Sequence, residues 1–201
     1  FGGRTGACAE YVVAKAERVI VKKPESVSFE EAAAVPIAAT TALQAIRDQG
    51  GLVAGQRVLV HGASGGVGTY AVQIAKALGG TVTAVCGPRS IEIARSLGAD
   101  EVVDYTVEDV TRGERRFDLA LDIAGTQSFR SLCRVLMPDA TVVVVGGKRA
   151  NRLFGPLAHV AGSKLSAMTA SQKAAFFLAK LTKDDMGVLR DLLAEGKLRS
   201  V

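Results

Sequence analysis

Apolar and polar residues follow one another, from residue 57 to residue 145, in a pattern that predicts strands alternating with helices. Short apolar runs predict buried parallel strands, and apolar residues at helical spacing fill the segments between them. The predicted strands are 58–60, 82–85, 101–103, 119–122 and 141–145, and the predicted helices are 66–78, 90–97, 107–111 and 126–136. This alternation is typical of the α/β class with a doubly wound parallel sheet.

Further elements are predicted on both sides of this region. Ser28 is followed three residues later by Glu31, a capping box that predicts the start of a helix. A second helix is predicted over 38–48, and apolar periodicity predicts helices over 171–180 and 183–194. Residues 9–14 and 18–21 are predicted as two strands, and residues 198–201 as the start of a last strand.

The first strand of the alternating region ends in a glycine-rich turn, Ala63-Ser64-Gly65-Gly66-Val67-Gly68. A helix that begins on such a turn binds anions, because its first N–H groups point at the ligand. We expect Gly65 to let the backbone approach a phosphate and Gly68 to let the helix pack close to the strand. The strand before the turn and the helix after it favour a nucleotide site over a merely structural turn.

Two other glycine-rich motifs fit this turn less well. A P-loop would carry a lysine directly after the last glycine, where Thr69 stands, so no side chain is placed to neutralise a terminal phosphate. Short-chain dehydrogenases need a Tyr-x-x-x-Lys downstream, and the only such pair, Tyr11 and Lys15, lies upstream. What remains is the dinucleotide fingerprint, with Ala63 in place of its first glycine.

The chain resembles medium-chain dehydrogenase/reductases, and most of all their zinc-independent quinone oxidoreductase branch. Six segments carry the resemblance, in the same order: 9–13, 28–36, 41–45, 60–68, 97–100 and 103–105. The resemblance implies a GroES-like catalytic domain with an inserted Rossmann domain. Residues 1–25 would then be a remnant of the catalytic domain and residues 26–201 the nucleotide-binding domain. We therefore expect a fragment that turns over slowly on its own, and a homodimer when full length.

The end of the second predicted strand bears on cofactor choice. Enzymes that prefer NAD carry a carboxylate there, about twenty residues past the glycine turn, but the first one after Val85 is Glu92, inside the next helix. Arg89 supplies a charged donor fork, and Ser90 adds a hydroxyl and a helix N-cap. We expect NADPH; the alternative is that Arg89 simply faces solvent. Tyr105 resembles the family tyrosine at the adenosine end, or else packs beneath the sheet edge.

For the nicotinamide end, the resemblance points to one threonine and to small residues that follow the fourth and fifth strands. Ligands of open α/β sheets bind outside the carboxyl ends of strands, so these positions should converge on one crevice. Each alone would be typical of an ordinary turn. They are Thr41, Ala124, Gly125, Val145, Gly146 and Gly147.

No metal site is expected. Zinc-dependent alcohol dehydrogenases of this superfamily have a cysteine ligand four residues before the nicotinamide threonine, and Ile37 stands there, whose hydrocarbon side chain cannot replace a thiolate. Neither His61 nor His159 has a partner at metal-ligand spacing. The three cysteines are an odd number without metal spacing, which indicates a reducing cytosol or organelle matrix, and of these we expect the cytoplasm.

The net charge of +5 comes from scattered short groups of cations. Residues 22–23, 112–116 and 148–152 are separated by acids or glycine, and no nucleic-acid motif accompanies them. No apolar run approaches the roughly twenty residues that span a bilayer. We therefore expect a small-molecule substrate rather than a nucleic acid or a membrane as the partner.

The resemblance implies NADPH-dependent hydride transfer to a quinone or to another activated double bond or carbonyl. The protein would mainly orient the reactants in a dry crevice, because the reactivity belongs to the cofactor. No residue is predicted to be a catalytic acid or base. Two alternatives stay open: an alcohol dehydrogenase or enoyl reductase on the same scaffold, and a non-enzymatic domain that binds or senses NADPH.

Overall fold

The computed structural model describes residue 10 and residues 19–146 and 171–201. Its strands are β1 (Arg57–His61), β2 (Thr81–Cys86), β3 (Glu101–Asp104), β4 (Phe117–Asp122), β5 (Leu136–Val144) and β6 (Lys173–Phe176). All pairings are parallel, and the order across the sheet is β3-β2-β1-β4-β5-β6. The prediction of a doubly wound parallel α/β fold is confirmed.

The helices lie on both faces of this sheet. They are α1 (Phe29–Leu43), α2 (Gly66–Ala77), α3 (Ile91–Ser96), α4 (Phe129–Cys133) and α5 (Lys183–Ala194), and a π-helix (Gln44–Gln49) continues α1. Successive strand side chains point to opposite faces, so Val58 and Val60 pack against α1 and α2. Leu59 belongs to the opposite apolar cluster, beneath α4.

The first helix begins where its capping box predicts. The Ser28 hydroxyl accepts a hydrogen bond from the Glu31 N–H at 3.1 Å, and the Glu31 carboxylate accepts one from the Ser28 N–H at 2.8 Å. A separate second helix from residue 38 is wrong, because α1 runs without a break through Pro36 to Leu43. Its buried face packs on α2, and this packing outweighs the hydrogen bond that a proline removes.

The helix predicted over 171–180 is also wrong. Residues 173–176 form β6, which pairs in register with 141–144 of β5. The short helix predicted over 107–111 is instead a 3₁₀ turn at Val110–Arg112. The helix predicted over 126–136 is shorter, because α4 ends at Cys133 and β5 begins at Leu136. Residues 19–21 and 198–201, predicted to belong to strands, form no strand. Each of these segments is short or weakly periodic, so tertiary contacts decide its conformation.

Several sequence-based predictions lie outside the described residues. These are the strand at 9–14 with Tyr11, the basic group at 148–152, and Cys8, Gly147 and His159. Within the described ranges, no helix has the length and apolar character to cross a membrane.

Candidate functional site

The turns that follow three neighbouring strands meet at one edge of the sheet. In each of the three turns, two successive backbone N–H groups donate to the same carbonyl, which lies at the end of an adjacent strand of the sheet, at 2.9–3.2 Å. The pairs are Gly62 and Ala63 on Val85, Ile123 and Ala124 on His61, and Val145 and Gly146 on Asp122. The structure thus brings together the predicted positions after β1, β4 and β5.

The glycine turn between β1 and α2 is built on close backbone contacts. Gly62 has φ +97°, and a Cβ there would lie 2.8 Å from the Ala124 nitrogen. A Cβ on Gly68 would lie 2.2 Å from the Gly62 carbonyl oxygen, so Gly68 has the close packing that the fingerprint predicts. Gly65 differs, because its nearest atom would be 3.8 Å away. Its outer side is therefore open to a ligand.

The N-terminus of α2 carries no side-chain cap. Gly65 is the N-cap residue, with extended backbone at φ −83° and ψ 167°, and no side chain bonds the first turn of the helix. The first N–H groups of a helix have no partners within it. Those that follow Gly65, from Gly66, Val67 and Gly68, therefore stand where an anion could accept their hydrogen bonds.

Arg89 and Ser90 follow β2 on a 3₁₀ turn, Pro88–Ser90. Arg89 is exposed and forms no hydrogen bond or ion pair with any residue that the structure describes. Ser90 stands at the N-cap position of α3, but its hydroxyl makes no capping bond, so the capping role expected for it is wrong. Both side chains are therefore free to bind a phosphate.

Tyr105 follows β3 and is 64% exposed. Its hydroxyl lies against Gly87, where a Cβ would be only 3.1 Å away. Packing beneath the sheet edge, one of two interpretations from the sequence, is therefore wrong. Tyr105 instead lines a cleft of about 500 Å³ together with His61, Gly62, Ser64, Val85, Cys86, Ala124, Thr126 and Gln127.

His61, which lines this cleft, is paired with a buried aspartate behind it. The two residues are partners in the β1–β4 register, and His61 Nδ1 lies 3.0 Å from Asp122 Oδ1. The same carboxylate oxygen accepts the Gly125 N–H at 2.9 Å, and Gly125 has φ +62°. Sequence reasoning missed Asp122, Thr126 and Gln127, although the strand ends of His61 and Asp122 were both predicted.

A second cleft, of about 440 Å³, lies beside Thr41 and is mostly apolar. It is lined by Ile37, Thr40, Thr41, Val67, Val145, Phe177, Leu178, Ala179 and Leu181. Thr41 donates its hydroxyl to the Ile37 carbonyl at 2.7 Å, which leaves the oxygen lone pairs as acceptors. The wall formed by residues 177–181 was missed, because a helix was predicted there.

Among the described residues, the titratable side chains that line these two clefts are those of His61, Cys86 and Tyr105. Burial, with a smaller contribution from the charge of Asp104, raises the pKa of the Cys86 thiol, so little of it is thiolate near neutral pH. Within the described ranges no three His, Cys, Asp or Glu side chains could hold one metal ion. Ile37, 58% exposed, brings a hydrocarbon side chain to the position of the zinc-ligating cysteine. These residues do not fit a zinc site.

The chain is similar to several known oxidoreductases. Residues 66–176 match the family model described as zinc-binding dehydrogenase. The mouse mitochondrial NAD(P)H oxidoreductase RTN4IP1 is 45% identical over 129 residues, which are 61% of this chain and 32% of that protein. The chloroplastic quinone-oxidoreductase QR1 of Triphysaria versicolor is 35% identical over 212 residues, covering 100% of this chain and 61% of that protein.

The fold is also similar to that of a solved oxidoreductase structure. The quinone oxidoreductase of Coxiella burnetii superposes with a TM-score of 0.74 at 29% identity, over 89% of this chain and 53% of that chain. This chain thus spans between a third and two thirds of the length of these three proteins. Because the family model covers more than half of the chain, and the similar proteins include NAD(P)H and quinone oxidoreductases, the chain belongs to the medium-chain dehydrogenase/reductase family, in its quinone-oxidoreductase-like branch.

Proposed function

We propose that this chain is the nucleotide-binding part of an NADPH-dependent oxidoreductase that reduces a quinone or a similar activated acceptor. The observation that carries the proposal is the open space at Gly65, at the uncapped N-terminus of α2; the free Arg89 guanidinium after β2 adds a second group that could bind a phosphate. The relatives named NAD(P)H oxidoreductase and quinone-oxidoreductase support the same class of reaction.

The described residues fit a nicotinamide dinucleotide from one end to the other. The turn from Ala63 to Gly68 would hold the pyrophosphate, since the N–H groups of Gly66, Val67 and Gly68 are free and a ligand meets no Cβ at Gly65. The cleft beside Tyr105 would take the adenosine, and Thr41 lies at the other cleft, where the ring would bind.

The 2′-phosphate is the part of the cofactor that separates NADPH from NADH. Arg89 offers a planar donor fork with no competing carboxylate, and the Ser90 hydroxyl is not used as a helix cap. A carboxylate at this strand end would repel the phosphate and favour NAD. The free guanidinium therefore supports NADPH as the preferred cofactor.

When bound, the nicotinamide supplies the hydride that the acceptor receives. The chain itself binds, orients and excludes water. Apolar side chains line the crevice beside Thr41, chiefly those of Val67, Val145, Phe177 and Leu181. An uncharged flat ring loses little hydration on entering such a crevice, whereas a charged acceptor would lose much more. This lining supports a quinone or enone over a charged substrate.

Cofactor titration tests the nucleotide part of the proposal. NADPH should bind at least about tenfold more tightly than NADH, the scale of one charge-assisted contact. Arg89→Ala should abolish this difference by weakening NADPH alone. Arg95→Ala is the matched control, because Arg95 is a neighbouring exposed arginine that is already paired with Glu92 at 2.7 Å. Equal affinity of the parent chain for the two cofactors would contradict the assignment.

A panel of quinones, enones and alcohols tests the acceptor part. Steady-state assays on the full-length protein, with NADPH for quinones and enones and with NADP⁺ for alcohols, should show the highest kcat/KM for quinones. Faster oxidation of alcohols would overturn the quinone assignment. Tight NADPH binding with no turnover of any acceptor would indicate a sensor rather than an enzyme.

A further inference from the structure

The π-helix that continues α1 is the most unusual element of the described chain. The Gly50 N–H bonds the Ala45 carbonyl at 2.9 Å, five residues back. A Cβ on Gly50 would lie 2.7 Å from Leu119 Cδ2, so the end of the helix sits directly on β4. Such helices are rare and occur frequently at functional sites. This one begins three residues after Thr41, beside the apolar crevice.

Gln44, the first residue of the π-helix, holds a distant piece of backbone. Its Nε2 donates to the Lys180 carbonyl at 2.7 Å, and its Oε1 accepts the Lys180 N–H at 3.2 Å. The side chain thus pairs with Lys180 as a neighbouring strand would. Gln44 is only 8% exposed, so loss of these bonds would leave polar groups unpaired in a buried place.

A buried carboxylate keeps the Gln44 side chain in this position. Asp185 is 3% exposed, and its Oδ2 accepts from Gln44 Nε2 at 2.7 Å. Arg47 and the Thr182 hydroxyl also donate to this carboxylate, each at 2.7 Å. Burial by itself would raise the pKa of Asp185, but the bonds from Thr182, Gln44 and Arg47 leave it below its ordinary value. The Asp185 carboxylate therefore stays charged near neutral pH and keeps accepting the Gln44 hydrogen bond.

The backbone that Gln44 holds belongs to one wall of the apolar crevice. Residues 177–181 lie between β6 and α5 and form no helix or strand. Phe177, Leu178, Ala179 and Leu181 all line the crevice opposite Thr41. Lys180 faces the other way, into a polar cleft that it shares with Gln44 and Asp185. A shift of Lys180 would therefore move this wall.

We propose that Gln44 is a positioning residue for the ring end of the cofactor site. It anchors the 177–181 segment to the helix that carries Thr41, and so sets the width of the crevice between them. The inference rests on the proposed function, because it assumes that the crevice takes the nicotinamide ring. It predicts that loss of the Gln44 amide affects the ring end of the ligand and leaves the adenosine end unchanged.

Two ligands distinguish the ring end of the cofactor site from its adenosine end. NADPH reaches both, whereas adenosine 2′,5′-bisphosphate carries only the adenosine end. Gln44→Met should weaken NADPH roughly three- to tenfold, as expected for the loss of one or two buried hydrogen bonds, and leave the bisphosphate within about twofold. Amide exchange at Lys180 should also become faster. Gln49→Met is the matched control, because Gln49 lies on the same π-helix and its side chain forms no hydrogen bond within the described ranges.

The outcomes separate the inference from the proposed function. Equal weakening of NADPH and the bisphosphate would show a general structural role and overturn the inference, as would unchanged NADPH affinity in Gln44→Met. If the parent chain bound neither ligand, the proposed function itself would fail, and the inference with it. Should Gln44→Met not fold, Gln44→Asn serves instead, because it keeps an uncharged amide near the charged Asp185 carboxylate but is one methylene shorter and cannot pair with both backbone groups of Lys180; the same selective loss is expected.

Discussion

Substitution of two glycines of the same turn should have different effects: a side chain at Gly65 should abolish NADPH binding, and one at Gly68 should lower stability. Gly65→Val adds a side chain at a position where the nearest heavy atom to the Cβ is 3.8 Å away. Its extended backbone suits a β-branched residue. Valine is a poorer N-cap than glycine but reduces the entropy of the unfolded chain, and these effects, each about 0.5–1 kcal/mol, largely cancel. Stability should therefore stay within about 1 kcal/mol of the parent, while NADPH binding is lost.

Gly68→Ala should instead lower the stability of the chain. The new Cβ would lie 2.2 Å from the Gly62 carbonyl oxygen and 2.7 Å from Ala63 Cα. Both are backbone atoms, so neither can rotate away, and α2 must move off the strand by about 1 Å to reach ordinary contact. Contacts this short with backbone atoms put the overpacking cost in the upper part of the usual range, about 2–3 kcal/mol, so about 1–2 kcal/mol remains after the roughly 1 kcal/mol that alanine gains over glycine in a helix.

Thermal melts and NADPH titrations on both variants check this reasoning. A net loss of about 1–2 kcal/mol lowers the Tm of a chain of this size by about 2–8 °C. We expect that shift for Gly68→Ala, and for Gly65→Val a Tm within a few degrees of the parent together with no measurable NADPH binding. Retained binding in Gly65→Val would refute the placement of the phosphates at this turn. A stable, unshifted Gly68→Ala would refute the close packing.

Two further predictions concern stability. Ser28→Ala removes the acceptor for the Glu31 N–H and should cost about 1 kcal/mol in urea unfolding, whereas Ser28→Thr should stay close to the parent; equal losses in both would show that the capping box contributes nothing. The pKa of Asp185 is lower in the folded chain than its ordinary value. As the pH falls, the carboxyl is therefore protonated more readily in the unfolded chain than in the folded one, and the free energy of unfolding should decrease below about pH 4. Asp185→Asn should be less stable at pH 7 and lose less stability between pH 5 and pH 3; a pH dependence identical to that of the parent would contradict this.

The local sequence alone determined the central part of the fold. The strand, the glycine turn and the helix of residues 57–77 follow from an apolar run, a fingerprint and helical spacing. The reason is that their signals are local: a turn at φ +97° needs a glycine, and a buried parallel strand needs a continuous apolar run. The start of α1 at its capping box was predictable on the same ground.

Tertiary structure decided what the local pattern leaves open. Residues 173–176 carry two alanines and no strong period, and they become a strand only because β5 offers an unpaired edge. That pairing sends residues 177–181 along the crevice, where Gln44 can reach Lys180 across 136 positions of sequence. The bond between His61 and Asp122 likewise joins two strands that are 61 residues apart. Sequence periodicity reports which face of an element is apolar, but only the packed sheet determines which distant polar groups meet.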